Sequence, residues 1–188
     1  KYHAGMPATT IANKLDIVIT QWASRDPLNG YGRGRESLYS TQDYFTINLS
    51  IDYFKKLVEL YTKQDPNKFG QIVVGLEGDF TPEAYSGNFA NQMEIVKDMK
   101  DNKNIHVKTM SDFSNWYRNN FPKLSPAQII EMDDLIDKRI KTIWYQSPNY
   151  RINILYNYDT RETKMRDFRT YHDNFQEPYY ISCYSAKK

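Results

Sequence analysis

Residues 71–80, Gln-Ile-Val-Val-Gly-Leu-Glu-Gly-Asp-Phe, constrain the fold more than any other stretch. An apolar run passes straight into two carboxylates, Glu77 and Asp79, with Gly78 between them. Thr81-Pro82 follows and reads as a helix start, with Thr as N-cap and Pro at the first helical position. The pattern predicts a buried strand, an acidic turn and a helix. Parallel α/β sheets hold their ligands at strand ends of this kind. Alternation along an extended chain puts Glu77 and Asp79 on one side, close enough to couple. Asp79 also stands near enough to the helix start to cap it.

The flanking segments extend the alternation. Residues 15–22, Leu-Asp-Ile-Val-Ile-Thr-Gln-Trp, are rich in β-branched types and read as a buried strand. A long loop follows at 24–36, with three glycines, Pro27 and Asn29. Residues 39–48 carry no decisive pattern. Ser50 is an N-cap candidate, and Ile51, Phe54, Leu57, Val58 and Tyr61 recur at helical spacing to about Lys63. Asp65-Pro66-Asn67 ends that helix. The helix after Pro82 keeps an apolar face through Phe89, Met93 and Val96, with Gly87 a candidate interruption. Residues 104–108 read as a short strand. Thr109 and Asp112 resemble a capping box, and Phe113, Trp116 and Tyr117 form the apolar face of the next helix.

Strand–helix alternation of this kind predicts a parallel sheet with helical crossovers. The last third changes character. Residues 128–140 fit helix or strand. Residues 142–146 and 151–156 flank Ser147-Pro-Asn149 as a hairpin, and Met165 to Tyr171 is a further strand. The expected class is α/β. A βα-unit domain at 1–122 forms part of a barrel-like sheet, and a C-terminal antiparallel β annex occupies 123–188.

Composition narrows the function. The chain has 188 residues and a mean hydropathy of −0.75, and it holds no apolar run long enough to span a bilayer. A net charge of +2 argues against a nucleic-acid partner held by phosphate contacts. The single cysteine, Cys183, rules out an internal disulfide and has no obvious base beside it. No Gly-x-Ser-x-Gly elbow is present. The histidines, His3, His106 and His172, are not at helical ligand spacing, so neither a metal site nor another cofactor is expected. Sixteen Tyr, nine Phe and three Trp supply core material and also stacking surfaces for sugars.

The acidic segment resembles the strand-end motif of family 57 glycoside hydrolases, which share an incomplete (β/α)7 barrel with polysaccharide deacetylases. Gly75-Leu76-Glu77 followed by Gly78-Asp79-Phe80 stands where that motif has Asp-Ala-Glu followed by Phe-Gly-His. Glu77 matches the motif's Glu. Gly75 takes the place of the catalytic Asp, and the His is absent. Residues 105–113 look like the closing unit of such a barrel. The resemblance covers about residues 15–121 and implies a carbohydrate-active fold with an altered or lost active site. It also implies that this chain is the C-terminal part of a larger barrel, a reading to which the absence of Met before Lys1 conforms.

These readings give a set of expectations. Glu77 and Asp79 are the catalytic candidates, for acid/base glycoside hydrolysis. Trp22, Arg25, Asp26, Tyr31, Arg33, Arg35 and Glu36 would bind substrate, with Arg and Asp reaching sugar hydroxyls and Trp22 or Tyr31 stacking on a pyranose face. A mobile surface loop is the competing reading for 24–36. The alternative function is a non-catalytic module that binds glycans or completes an assembly. The expected partners are a polysaccharide or oligosaccharide, and a partner chain or homo-oligomer that buries the edge near Ile17 and Ile19. The compartment is left open between several locations, of which the extracytoplasmic space or the cell envelope is favoured. Arg166 to Asp173 alternates charge with aromatics and reads as an edge strand whose Arg and Asp residues pair across the annex.

Overall fold

The structure, a computed structural model, describes residues 8–12, 14–31, 36–102, 105–137 and 139–171, without the side chains of Glu36 and Ala84. Two short 3-10 helices, Glu36–Leu38 and Tyr44–Ile47, precede three α-helices: α1 (Ile51–Thr62), α2 (Pro82–Asn102) and α3 (Met110–Asn120). Four strands follow: β1 (Gln128–Asp133), β2 (Ile140–Gln146), β3 (Tyr150–Asn157) and β4 (Thr163–Thr170). They form one sheet in the order β1-β2-β3-β4, antiparallel throughout.

The local rules explain the helices. α1 follows Ser50, and its apolar stripe buries Tyr53, Phe54, Leu57 and Val58. Pro82 opens α2, where its missing N–H costs nothing. Gly87 does not interrupt that helix. The N-terminus of α3 carries the expected cap. The Thr109 hydroxyl oxygen accepts from the Asp112 backbone N–H at 3.1 Å and donates to the Asp112 carboxylate at 2.8 Å. Phe113, Trp116 and Tyr117 gather with Phe121 around Phe69, at ring separations of 5.2–6.3 Å. No α3 residue is fully buried, because this cluster lies at the surface.

The core packs α1 on α2 and on the second 3-10 helix. Tyr44, Tyr53, Phe54, Leu57, Val58 and Met99 are its buried members. Ile72, Val74 and Ile105 pack against it from outside.

The hairpin read at Ser147 forms. The Ser147 backbone N–H donates to Tyr150 O at 2.9 Å, and its hydroxyl oxygen accepts from the Asn149 and Tyr150 N–H groups. Residues 128–133, which fitted helix or strand, are β1.

Two expectations are corrected here. The parallel βα sheet is not present: among the described residues every paired strand is antiparallel and lies at 128–170. Residues 15–22, 71–77 and 105–109 form neither helix nor strand and join no ladder, and the chain bends at Asp16 and Trp22. The resemblance to a family 57 or deacetylase (β/α)7 barrel depends on those parallel units, and it falls with them, together with the truncated-barrel reading. The physical reason is that side chains, not ladder hydrogen bonds, hold these segments. Ile72 and Val74 pack on the α1 core, and the Trp22 indole lies over Gly75. An apolar β-branched run reads the same whether its backbone finds a ladder or not.

The sheet has two unlike faces. Thr142 and Asn153 are buried on the inner face, which also carries Trp144. Alternation puts Ile143, Ile152, Ile154 and Phe168 on the other face. Between Asn153 and Ile154 the β3–β4 register shifts, so Asn153 faces Asp167 while Ile154 faces Met165. Arg166 is the extra residue of this bulge, and its guanidinium turns to the inner face.

Candidate functional site

The residues proposed to bind substrate separate into two groups. One group is a clamp between the 24–31 loop and the sheet. Asp26 is fully buried there. Its Oδ1 accepts from the Leu28 and Asn29 N–H groups at 2.7 and 2.9 Å, the self-bonding turn that Asp favours. Its Oδ2 accepts from the Tyr53 hydroxyl at 2.8 Å. Burial, then the Asp26 carboxylate, pushes the Tyr53 hydroxyl far above the ordinary tyrosine range, so it stays a donor. Arg25 bridges to Ser40, and the Asp26 N–H donates to Tyr39 O at 2.8 Å. Gly30 cannot be replaced in this turn, since a Cβ would sit 2.6 Å from Asp26 O.

The sheet closes the clamp from the other side. The Arg166 guanidinium donates to Pro27 O, Leu28 O and Tyr31 O at 2.7–3.0 Å, and to Asn153 Oδ1 at 2.7 Å. Trp144 Nε1 donates to Pro27 O at 2.7 Å, and the Tyr31 ring stands 4.9 Å from the Trp144 ring. Burial lowers the Arg166 pKa from its ordinary value, while the Asp26 carboxylate opposes that shift. Arg151 forms a two-point ion pair with Asp167 at 2.7 and 3.0 Å, the cross-annex pairing read from the sequence. Arg25, Asp26 and Tyr31 therefore have partners inside the fold. Arg33 and Arg35 lie outside the described residues, as does the side chain of Glu36.

Asp134 extends the clamp to the β1–β2 turn. Its buried carboxylate accepts from Asn29 Nδ2 and the Ile136 N–H, both at 3.0 Å. Burial raises its pKa, and the Asp137 carboxylate adds to the rise. Exposed Asp137 moves the other way, to about 2, held by the Arg139 backbone amide and guanidinium. A raised carboxyl favours the folded state below its ordinary pKa, and that contribution fades as pH rises through the raised value. Asp134→Asn keeps both accepted hydrogen bonds and carries no buried charge. It is expected to raise stability at pH 7 by about 1 kcal/mol and to change little near pH 3, checked by urea midpoints at both pH values.

The second group is open to solvent. Trp22 is 49% exposed. Its orientation is fixed at two points: Nε1 donates to Gln42 Oε1 at 2.8 Å, and the six-membered ring covers Gly75, where a Cβ would stand 2.4 Å away. Ala23, next in the chain, has a φ of 49°, a left-handed backbone that a non-glycine residue seldom adopts. Glu77 lies two residues beyond Gly75 on the same segment, at most about 7 Å along the backbone. Glu77 and Asp79 are both exposed, at the turn before α2. Among the described residues no hydrogen bond joins Asp79 to the α2 N-terminus, so it is not the cap. Phe80 pins this turn to the second 3-10 helix, its ring 5.1 Å from that of Phe45.

The sequence reading missed Tyr53, Trp144, Asn153, Arg166 and Asp134 as partners of the loop. Only the charge alternation around Arg166 marked any of them. Among the described residues no group of three His, Cys, Asp or Glu side chains could hold a metal, and no helix is long and apolar enough to cross a membrane. No family model, curated protein or solved structure matches the chain, so the glycoside hydrolase and deacetylase resemblance has no support from that side either.

Proposed function

We propose that the chain is a non-catalytic carbohydrate-binding module with Trp22 as its stacking platform. The observation that carries this reading is a half-exposed indole held in one orientation by Gln42 and by the bare backbone of Gly75. A flat apolar ring fixed at the surface suits the apolar face of a pyranose and loses little entropy on binding. Glu77 and Asp79 supply acceptors for sugar hydroxyls on the same segment, and two carboxylates favour neutral or amino sugars over uronic acids. Hydrolysis calls for one carboxyl held protonated by burial, and both of these are exposed. Binding is the reading that the geometry favours.

A glycan array followed by calorimetry tests this. The wild-type chain is expected to bind neutral oligosaccharides, and Trp22→Ala to weaken binding about tenfold or more. Equal binding by wild type and Trp22→Ala, or no binding at all, would refute the platform. Release of reducing sugar that Glu77→Gln abolishes, with binding retained, would make the acidic pair catalytic instead.

A further inference from the structure

A buried polar turn stands behind Trp22. Ser24, Ser40, Thr41 and Gln42 are each buried, and Gln92 on α2 is fully buried. The Thr41 N–H donates to Ser24 O at 3.0 Å, two residues after Trp22 and beside the left-handed backbone of Ala23. Ser40 Oγ accepts from the Gln42 and Asp43 N–H groups at 3.3 and 3.1 Å, which fixes the turn. Gln42 Oε1 then takes the Trp22 indole N–H. Gln92 reaches the same turn from α2: its Nε2 donates to Thr41 O at 3.3 Å. Thr41 O belongs to the peptide that joins Thr41 to Gln42, so this bond sets the plane from which Gln42 meets the indole.

Packing alone does not call for glutamine at this position. Gln92 Oε1 is buried with no hydrogen-bond partner, and an apolar side chain of similar size avoids that cost. We propose that Gln92 is a positioning residue for the Trp22 platform, acting through the Thr41–Gln42 peptide. Without its bond the peptide is free to turn, Gln42 Oε1 leaves the indole N–H, and the ring gains motion about its side-chain torsions. The consequence for binding rests on the reading of Trp22 as a glycan platform, whereas the orientation of the ring does not.

Heteronuclear NOE measurements on the Trp22 indole N–H of the free full chain, beside calorimetry with the neutral oligosaccharide that the wild type binds, test the proposal. Gln92→Met is expected to lower the Trp22 NOE, leave the other two indoles unchanged and weaken binding about two- to tenfold, the cost of ordering one side chain on binding. Gln92→Leu is read in the same way should methionine not be accommodated. Met99→Ala, a core change on the same helix, is expected to cost more stability and to leave the Trp22 NOE and the affinity in place. A Trp22 NOE unchanged in Gln92→Met would overturn the proposal. So would an equal fall in Met99→Ala, since indole order would then follow stability alone, or unchanged affinity beside a lowered NOE. A wild type that binds no glycan, with the NOE still falling in Gln92→Met alone, would refute the platform and uphold Gln92 as the residue that orients the ring.

Discussion

Arg166→Met is expected to cost the fold about 3 kcal/mol, the low end of the range for removing one partner from a buried charged network, because the side chain is half-buried. The side chain supplies donors to four acceptors at once: three carbonyls of the 27–31 turn and the Asn153 amide oxygen. Methionine fills similar volume but donates nothing, so those carbonyls lose their partners inside the clamp. The Asp26 carboxylate loses the cation that balances it through space. Arg166→Lys is expected to recover only part of the loss. One ammonium cannot span a set of acceptors spread over a planar fork. Guanidinium unfolding followed by fluorescence measures both variants. A loss under about 1 kcal/mol for Arg166→Met would mean that the loop is held elsewhere.

The second large effect belongs to the helical core. Phe54 is fully buried and touches the Tyr44 ring at a centroid distance of 5.9 Å. Phe54→Ala removes most of a side chain from a site closed by Leu57, Val58 and Met99, and is expected to cost about 3–5 kcal/mol. Phe113→Ala, in the half-buried aromatic cluster on α3, is expected to cost less than half as much. Thermal melts of the two variants make the comparison. Equal losses would show that the α3 cluster contributes as much to the fold as the α1–α2 contact.

Local chemistry was legible, and pairing was not. The Thr109–Asp112 box, Pro82 at the head of α2 and the Ser147 turn each depend on a few adjacent residues, and each forms as read. The run 71–77, read as a buried strand, is apolar but forms no strand. Its sequence holds no information about which backbone will pair with it, and the structure satisfies it through packing on α1 and the Trp22–Gly75 contact. The parallel sheet inferred from that run was therefore a step beyond the residues. The family resemblance repeated the step, since Gly75 was aligned with a catalytic Asp when its physical role is to leave room for an indole.

The loop shows the same limit from another side. Asp26, Arg25 and Tyr31 look like exposed ligand-binding types because local bonds, such as those from the Leu28 and Asn29 N–H groups to Asp26, account for only part of what holds them. The other partners are remote: Tyr53 on α1 for Asp26, Tyr61 on α1 for the Arg25 carbonyl, and Trp144 on β2 for Tyr31. Arg166 reaches the same turn from β4, aimed by a bulge that no pattern in the sequence announces. Trp22 alone of the proposed stacking residues keeps a free face.

The division between a locked loop and a free indole is the centre of this account, and NMR of the three tryptophan indole N–H groups during titration with neutral oligosaccharides tests it directly. The Trp22 resonance is expected to move and saturate. The Trp144 resonance, whose N–H donates to Pro27 O, is expected to stay in place. A shift at Trp144 with none at Trp22 would contradict the account, because it would make the clamp, and not the platform, the surface that ligand reaches.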